Sequence, residues 1–308
     1  MINKFSILFL YALTFLGLKP SFAQGRASRI YYSVGITKTL FDWNIAGNSL
    51  GQNPNILSEL KWEDLKSLNQ SFALYVPYKN LELAIHFSRS KIYSGQVSDA
   101  DFAADDRQQV TAFYIYQAGN GLQQMLSPSL SYCLILDDES KNILYIGFLY
   151  KHYKDNYEML NLDKTLSDDR FKDIKNKYRA VWKGGGFYVA YEYNFIKKLT
   201  LTGKAGLEKL RYIATADWNS REDFISQNSF SHSSKRGLGL WTEGLIEYAV
   251  TKKIRVNMAV NFRHRSIGKG TDILYKKDGT IKLSQLNGGQ QFDMGIQVGL
   301  SYSFNLKK

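Results

Sequence analysis

From Gln291 to Leu306 the chain alternates without a slip. Phe292, Met294, Ile296, Val298, Leu300, Tyr302, Phe304 and Leu306 are apolar or aromatic, and Asp293, Gly295, Gln297, Gly299, Ser301, Ser303 and Asn305 separate them. A period of two belongs to a β-strand, whose successive side chains point to opposite faces. The run is long for a globular sheet and suits a tilted strand that crosses a bilayer and continues past it. One face then meets lipid and the other a polar interior. Hydrocarbon tolerates no open sheet edge, so such a last strand must pair with the first. The chain is organised around closing a barrel.

The N-terminus is set apart from this pattern. Lys4 opens a short positive region, Phe5 to Leu18 form an apolar run, and Ser21-Phe22-Ala23 precedes Gln24 as a small-x-small cleavage site. The run is shorter than a spanning helix requires and reads as a secretory signal peptide over residues 1–23. Residues 24–308 are then one outer-membrane β-barrel domain. No later segment approaches the roughly 20 apolar residues of a transmembrane helix. Tyr 21, Phe 18 and Gly 24 are high, Pro 4 is low, and 44% hydrophobic residues with a negative mean hydropathy are what alternation produces. The single cysteine, Cys133, excludes a disulfide framework and a cysteine-based zinc site.

Net charge is +12. Without Lys4 and Lys19 of the signal, 38 basic residues face 28 acids and leave +10. On a soluble domain this excess would suggest nucleic acid. For an exported chain the partners are anionic lipid headgroups or the phosphates of an outer leaflet, and no nucleic acid is expected.

Taken in order, ten strands can be laid down, with the first near Ser28 to Trp43, the second near Ile56 to Val76 and the third over Leu81 to Val97. Polar or charged segments from Ser98 to Asn120, Asp163 to Lys177 and Lys276 to Gln290 read as long loops. Connections near 78, 139, 197 and 252 are short, whereas those near 50, 110, 167, 227 and 280 are long. That alternation predicts an all-β fold: a ten-strand antiparallel transmembrane β-barrel with short periplasmic turns and long extracellular loops, in the outer membrane of a Gram-negative cell. Glu82, Glu192, Lys204, Glu208, Glu243, Glu247, Arg255 and Arg263 fall on interior faces and predict an ion-pair core rather than a wide pore. Trp43, Trp62, Tyr157, Trp182 and Trp241, at strand ends, suit interfacial girdles or the lining of a cleft.

Chemistry is concentrated at Asp99-Ala100-Asp101. In an extended chain the two carboxylates point to one side and can share a proton or activate a water. A calcium ion or a solvated loop suits the same arrangement. With Trp62 near the second strand, Asp-Ala-Asp-Phe102 atop the third and a Tyr302-Ser-Phe304 ending, the chain resembles the omptin family of outer-membrane proteases. The likeness covers most of the mature chain as architecture and scattered motifs. It implies that Asp99 and Asp101 orient a nucleophilic water opposite an Asp-x-His pair across a cleft. It also implies acidic groups that receive basic residues of a substrate, and lipopolysaccharide at the rim as lipid partner and activating ligand.

The chain departs from that pattern after its seventh strand, where Ala214 to Asp223 contains no Asp-x-His. Asp217 is the nearest acid, Asn219 and Arg221 stand at about the expected offset, and His232 is the only histidine nearby. Asp217 and His232 are therefore the candidate partner pair. His86, His152 and His264 lie on or near strands, as interior or girdle residues. The family's substrate-binding acid has no counterpart between Gly47 and Asn55. Two functions follow: a surface endopeptidase with no cofactor beyond lipopolysaccharide, or a non-catalytic barrel that serves as adhesin, ligand binder or small-solute porin.

Overall fold

The computed structural model describes residues 26–136, 141–162 and 174–305. The expected signal peptide, the turn at 137–140 and most of the expected loop from Asp163 lie outside the described residues. Within them the regular elements are strands: β1 (Ser28–Ile45), β2 (Ser58–Tyr78), β3 (Leu81–Ala104), β4 (Gln108–Ala118), β5 (Leu122–Ile135), β6 (Asn142–Leu162), β7 (Asn176–Ile196), β8 (Leu199–Asp217), β9 (Phe230–Ala249), β10 (Ile254–Ile267), β11 (Gly270–Tyr275) and β12 (Ile281–Phe304). All pair antiparallel, and β1 pairs β12 from Ser28↔Phe304 to Ile45↔Leu286, which closes the ring.

Twelve strands make ten staves. β4 and β5 are two lengths of one stave: β4 lies beside the upper part of β3 and β5 beside the lower. They part at Gly119-Asn120-Gly121, where Asn120 takes a positive φ of 55°. β10 and β11 likewise share one stave between β9 and β12, parted at Gly268-Lys269. The ten-strand expectation holds at the level of staves.

Two expected loops are strands. The polar run from Ser98 is the top of β3, a turn and then β4, and the run from Ile281 is the top of β12. Asp106 and Arg107 both take positive φ, and Gln108 N donates to Asp105 O at 3.1 Å, which makes a type I′ hairpin turn. Arg107 is held there by Glu59 at 2.6 Å. These lengths carry only scattered exposed apolar residues, Val110 and Phe113 on β4 and Ile281 and Leu283 on β12, and no continuous outward alternation.

Polarity inverts along several staves, β1 and β7 among them. On β1 the lower outward residues are Tyr32, Val34 and Ile36, all exposed, while Ser33, Thr37 and Thr39 face inward. Higher up, Phe41 and Trp43 are buried inside and Asp42 is outside. On β7, Phe187, Val189 and Tyr191 are outward below, whereas Tyr178, Ala180 and Trp182 are buried inside above. The level of the switch is where lipid gives way to water outside the wall.

The lumen follows suit. The lower half carries the expected ion pairs. Arg29 stands 3.7–3.9 Å from Glu82, Glu192 and Glu247, Lys204 is 2.9 Å from Glu243, and Lys151 is 2.5 Å from Glu208. Arg265 bridges Asp155 at 3.1 Å and Asp293 at 3.3 Å, and Arg263 lies 3.8 Å from Asp293. Above them an aromatic layer fills the barrel, including Phe41, Trp43, Trp62, Tyr116, Tyr153, Tyr157, Tyr178, Trp182, Tyr212 and Phe230. Trp43, Trp62, Tyr157 and Trp182 are thus interior plug residues and not girdle residues, and Trp241 also lines the lumen. Parity with the inward residues of their own strands decides this for Trp43, Tyr157, Trp182 and Trp241, whereas the register shift between Glu63 and Lys66 turns Trp62 inward. Of the histidines, His86 lines the lumen, while His152 and His264 are exposed on the outer wall.

Candidate functional site

Asp99 and Asp101 lie within β3 rather than in a loop, on one face and well above the level where the outward apolar residues end. A register shift around Lys66 and Ser94, next to Gly95, changes the phase of β3 and turns odd-numbered residues inward. Without that shift both carboxylates would face outward. Asp99 sits between Leu60 of β2 and Tyr114 of β4, and Asp101 between Ser58 and Ala112. Val97 and Tyr116, both buried, pair one step below.

Burial and the adjacent Asp101 push the Asp99 carboxyl up to about 7, with Arg221 pulling the other way. Burial and the same two carboxylates raise the Tyr116 phenol. The Asp99 carboxyl is therefore shifted toward keeping its proton near neutrality, chiefly because burial penalises the charged form and secondly because Asp101 lies beside it. Asp105 and Asp106 are engaged elsewhere: Asn55 donates N–H to Asp105 Oδ1 at 2.7 Å and Nδ2–H to Asp106 Oδ1 at 2.8 Å. Among the described residues no group of three or more His, Cys, Asp or Glu side chains gathers in a way that would hold a metal.

Arg221 comes from the 217–230 connection, which is fastened on three sides. Asn176 Nδ2 donates to Ser220 Oγ at 2.8 Å, and Asn219 Oδ1 accepts from Lys175 N at 3.0 Å. Asp223 meets Lys276 Nζ at 2.9 Å. Asp217 Oδ1 accepts the backbone N–H of Gln227 at 2.9 Å and so ties the two ends of the connection together.

His232 is part of β9 and not of a loop, and it is only 1% exposed. Its Nδ1 is 2.7 Å from Tyr178 Oη, which is 2.6 Å from Tyr212 Oη. Its Nε2 lies 3.1 Å from Asp272 Oδ1, at an angle outside hydrogen-bond geometry. Ser284 Oγ donates to Asp272 Oδ2 at 2.7 Å. Trp43 and Phe230 pack on the imidazole with centroids at 4.5 and 5.2 Å. The structure thus brings Asp99 and Asp101 together, directs Asp217 to its own connection, and seals His232 in the plug. Asp272, Tyr178, Tyr212 and Ser284 went unnoticed in the sequence. Parity with outward Leu238 and Leu240 would have put the imidazole outside; the register shift between Ser234 and Gly237, opposite Arg211, turns Phe230, His232 and Ser234 inward.

The fold has a solved counterpart. The outer-membrane protease OmpT from Escherichia coli superposes with a TM-score of 0.72 at 13% identity, over 93% of this chain and 99% of that one. The translocator domain of the autotransporter NalP from Neisseria meningitidis gives 0.40 at 11% identity, over 98% and 95%. Neisserial surface protein A gives 0.32 at 13%, over 89% and 97%. No curated protein sequence matches the chain. The OmpT likeness establishes an omptin-like outer-membrane barrel fold. The model of one family matches residues 32–304, from the first stave to the last, and on that match the chain belongs to the Protochlamydia outer membrane protein family.

Proposed function

We propose that this barrel is a non-catalytic surface-binding protein of the outer membrane, with its long connections outside the cell. One observation carries the reading. Opposite the Asp99–Asp101 pair, the 217–230 connection supplies Arg221, while the nearest imidazole is sealed beneath Trp43 and Phe230. A guanidinium stays protonated and takes no proton from water. The strand lengths support a binding role. β2, β3, β6 and β12 run to 21–24 residues, about twice what crossing a bilayer requires. Their upper halves form a rigid collar that carries the connections. The raised Asp99 carboxyl favours a second reading, an endopeptidase in which the Asp99–Asp101 pair itself handles the proton.

The basic excess finds a place on the outer wall. Arg89, Lys91, Lys177 and Arg179, with Glu158, border a notch of about 280 Å³ at the break between β4 and β5, and Lys91 Nζ donates to Asn120 O at 2.7 Å. On β3 the notch begins two residues above outward Phe87. Phosphates of lipopolysaccharide or other anionic lipid are the partners we assign to it.

The test uses protein refolded with lipopolysaccharide and a panel of fluorogenic dibasic peptides, wild type against Asp99→Ala/Asp101→Ala. The expected result is no cleavage by either. Cleavage that disappears in the double variant overturns the binding reading and establishes the protease.

A further inference from the structure

Four lysines stand side by side at the turn end of the barrel. Lys197 and Lys198 turn β7 into β8, and Lys252 and Lys253 turn β9 into β10. β8 and β9 are neighbours, so the two turns touch: Ala249 N donates to Lys198 O at 2.8 Å. Thr251 Oγ1 accepts the backbone N–H of Lys253 at 3.2 Å and of Ile254 at 2.9 Å, which fixes the second turn. All four lysines are exposed, and no ion pair among the described residues includes them. Phe195, Ile196, Val250 and Ile254 flank them at 41–57% exposure, so the charges begin where the lipid-facing band ends. The positive charge is local, because the turn between β5 and β6 reads Asp137-Asp138-Glu139.

A dent in the lipid-facing wall lies above the same two turns. Gly203 of β8 pairs with Gly244 of β9, and a Cβ on either would stand in open space. Ala205 and Thr242 pair one outward step higher. Val189 and Tyr191 of β7 and Val260 and Phe262 of β10 wall in this floor, and the dent measures about 480 Å³. Gly203 is five residues from Lys198, and Gly244 is five from Ala249. At 3.3 Å per residue that is about 16 Å up the wall, or about 12 Å of depth on strands tilted by roughly 40°. Half of a hydrocarbon core is roughly 15 Å, so an acyl chain whose headgroup rests on the lysines reaches the dent.

Either feature alone has a plain reading, since lysines at a rim are solvated and a dent takes any passing lipid. Their alignment on β7 to β10 points to one ligand. A phosphate meets the unspent positive charge, and a flexible chain restores the contacts that the two missing side chains leave open. We propose that this face binds an anionic phospholipid of the leaflet at the turn end. Its phosphate sits on the four lysines, and one acyl chain passes over Leu201 and Ile246 into the dent between Gly203 and Gly244. This goes beyond the surface reading, because the notch of Lys91 and Arg179 stands at the opposite end of the lipid-facing band.

Native mass spectrometry of the barrel refolded in detergent tests it. The probes are palmitoyl-oleoyl phosphatidylglycerol and the phosphatidylethanolamine with the same chains, with dihexanoyl phosphatidylglycerol as the short-chain control. Long-chain phosphatidylglycerol is expected to bind at least tenfold tighter than either of the other two. Lys197→Gln/Lys198→Gln/Lys252→Gln/Lys253→Gln should bring the two long-chain lipids within twofold of each other. Gly203→Leu/Gly244→Leu, which fills the dent from the lipid side, should weaken long-chain phosphatidylglycerol fivefold or more and leave the short-chain lipid unchanged. Lys91→Gln/Arg179→Gln, at the notch, should alter none of these values. Each variant is scored only where the unheated protein keeps the fast gel mobility of a folded barrel. Equal binding of the two long-chain lipids overturns the proposal. So does a headgroup preference that survives the four lysine changes, long-chain binding unaltered by the glycine changes, or a preference lost on changing the notch.

Discussion

The two halves of the lumen are lined by the same staves yet filled by opposite chemistry. The lower half holds paired charges, hydroxyls and amides, and the upper half holds stacked rings. The outside of the wall explains the difference. Where lipid surrounds the barrel, the outward residues supply the apolar surface, and an interior equally apolar would erase the alternation that distinguishes a barrel strand. Where water surrounds it, stability has to come from an apolar interior, as in a soluble domain. One strand therefore carries two folding rules end to end, and the polarity switch between them marks the membrane level.

Truncation in the plug should produce the largest effect. Trp182→Ala removes a fully buried indole that packs edge-on to Tyr212 at 4.5 Å and under Arg265 at 5.1 Å. A loss of about 3–5 kcal/mol is expected in urea unfolding, and a loss under 1 kcal/mol would mean that the upper half is not a core. The lower half should answer differently. Lys204→Met alone should cost about 3–5 kcal/mol by stranding Glu243, whereas Lys204→Met/Glu243→Leu should be close to neutral. Equal losses in the single and the double variant would contradict the paired-charge account.

Tyr178→Phe sharpens the contrast within the plug, because it keeps the ring and deletes the hydroxyl between Tyr212 and His232. About 1–3 kcal/mol is expected, measured against Trp182→Ala in the same urea series. The smallest effect concerns the rim. The Asp99 value of about 7 lies above its ordinary 3.8, so the folded state keeps this proton longer than the unfolded one does. Stability contributed by this group is therefore full at low pH and falls as pH rises from about 4 through 7. Asp99→Asn should remove that decline and gain about 1–2 kcal/mol at pH 8, allowing for partial solvent screening. A decline unchanged in the variant assigns it to another group.

Alternation alone carried most of the fold to the reader of the sequence. The outward and inward faces of β3, β7 and β9 read from Leu83, Phe187 and Ile246 are those observed. What escaped lay above the lipid, where β4 and the top of β12 mix Val110, Phe113, Ile281 and Leu283 with polar residues and turn glycines and so look like loops. Tryptophan at a strand end left Trp43 and Trp62 open between a girdle and the lining of a cleft, and the parity of Trp43 with Ser33 and Thr39 favours the inside, where both are found. The site was less legible. Asp99 and Asp101 were visible as a spaced pair, but their inward aim depends on a register shift. The partners of His232 come from four other strands, and pairing across strands is not written in any local pattern.

The chain of contacts through His232 has a mechanical side. Tyr212, Tyr178, His232, Asp272 and Ser284 belong to β8, β7, β9, β11 and β12, five strands that stand side by side around nearly half the circumference. From β1, β2 and β6 the rings of Phe41, Trp62 and Tyr157 stack at 4.9–5.3 Å, and Phe41 meets Tyr178 at 5.8 Å. Together they form a hoop at one height. A cask so bound keeps its girth whatever is fitted to its rim, so the connections above can change in length and sequence without loosening the staves below.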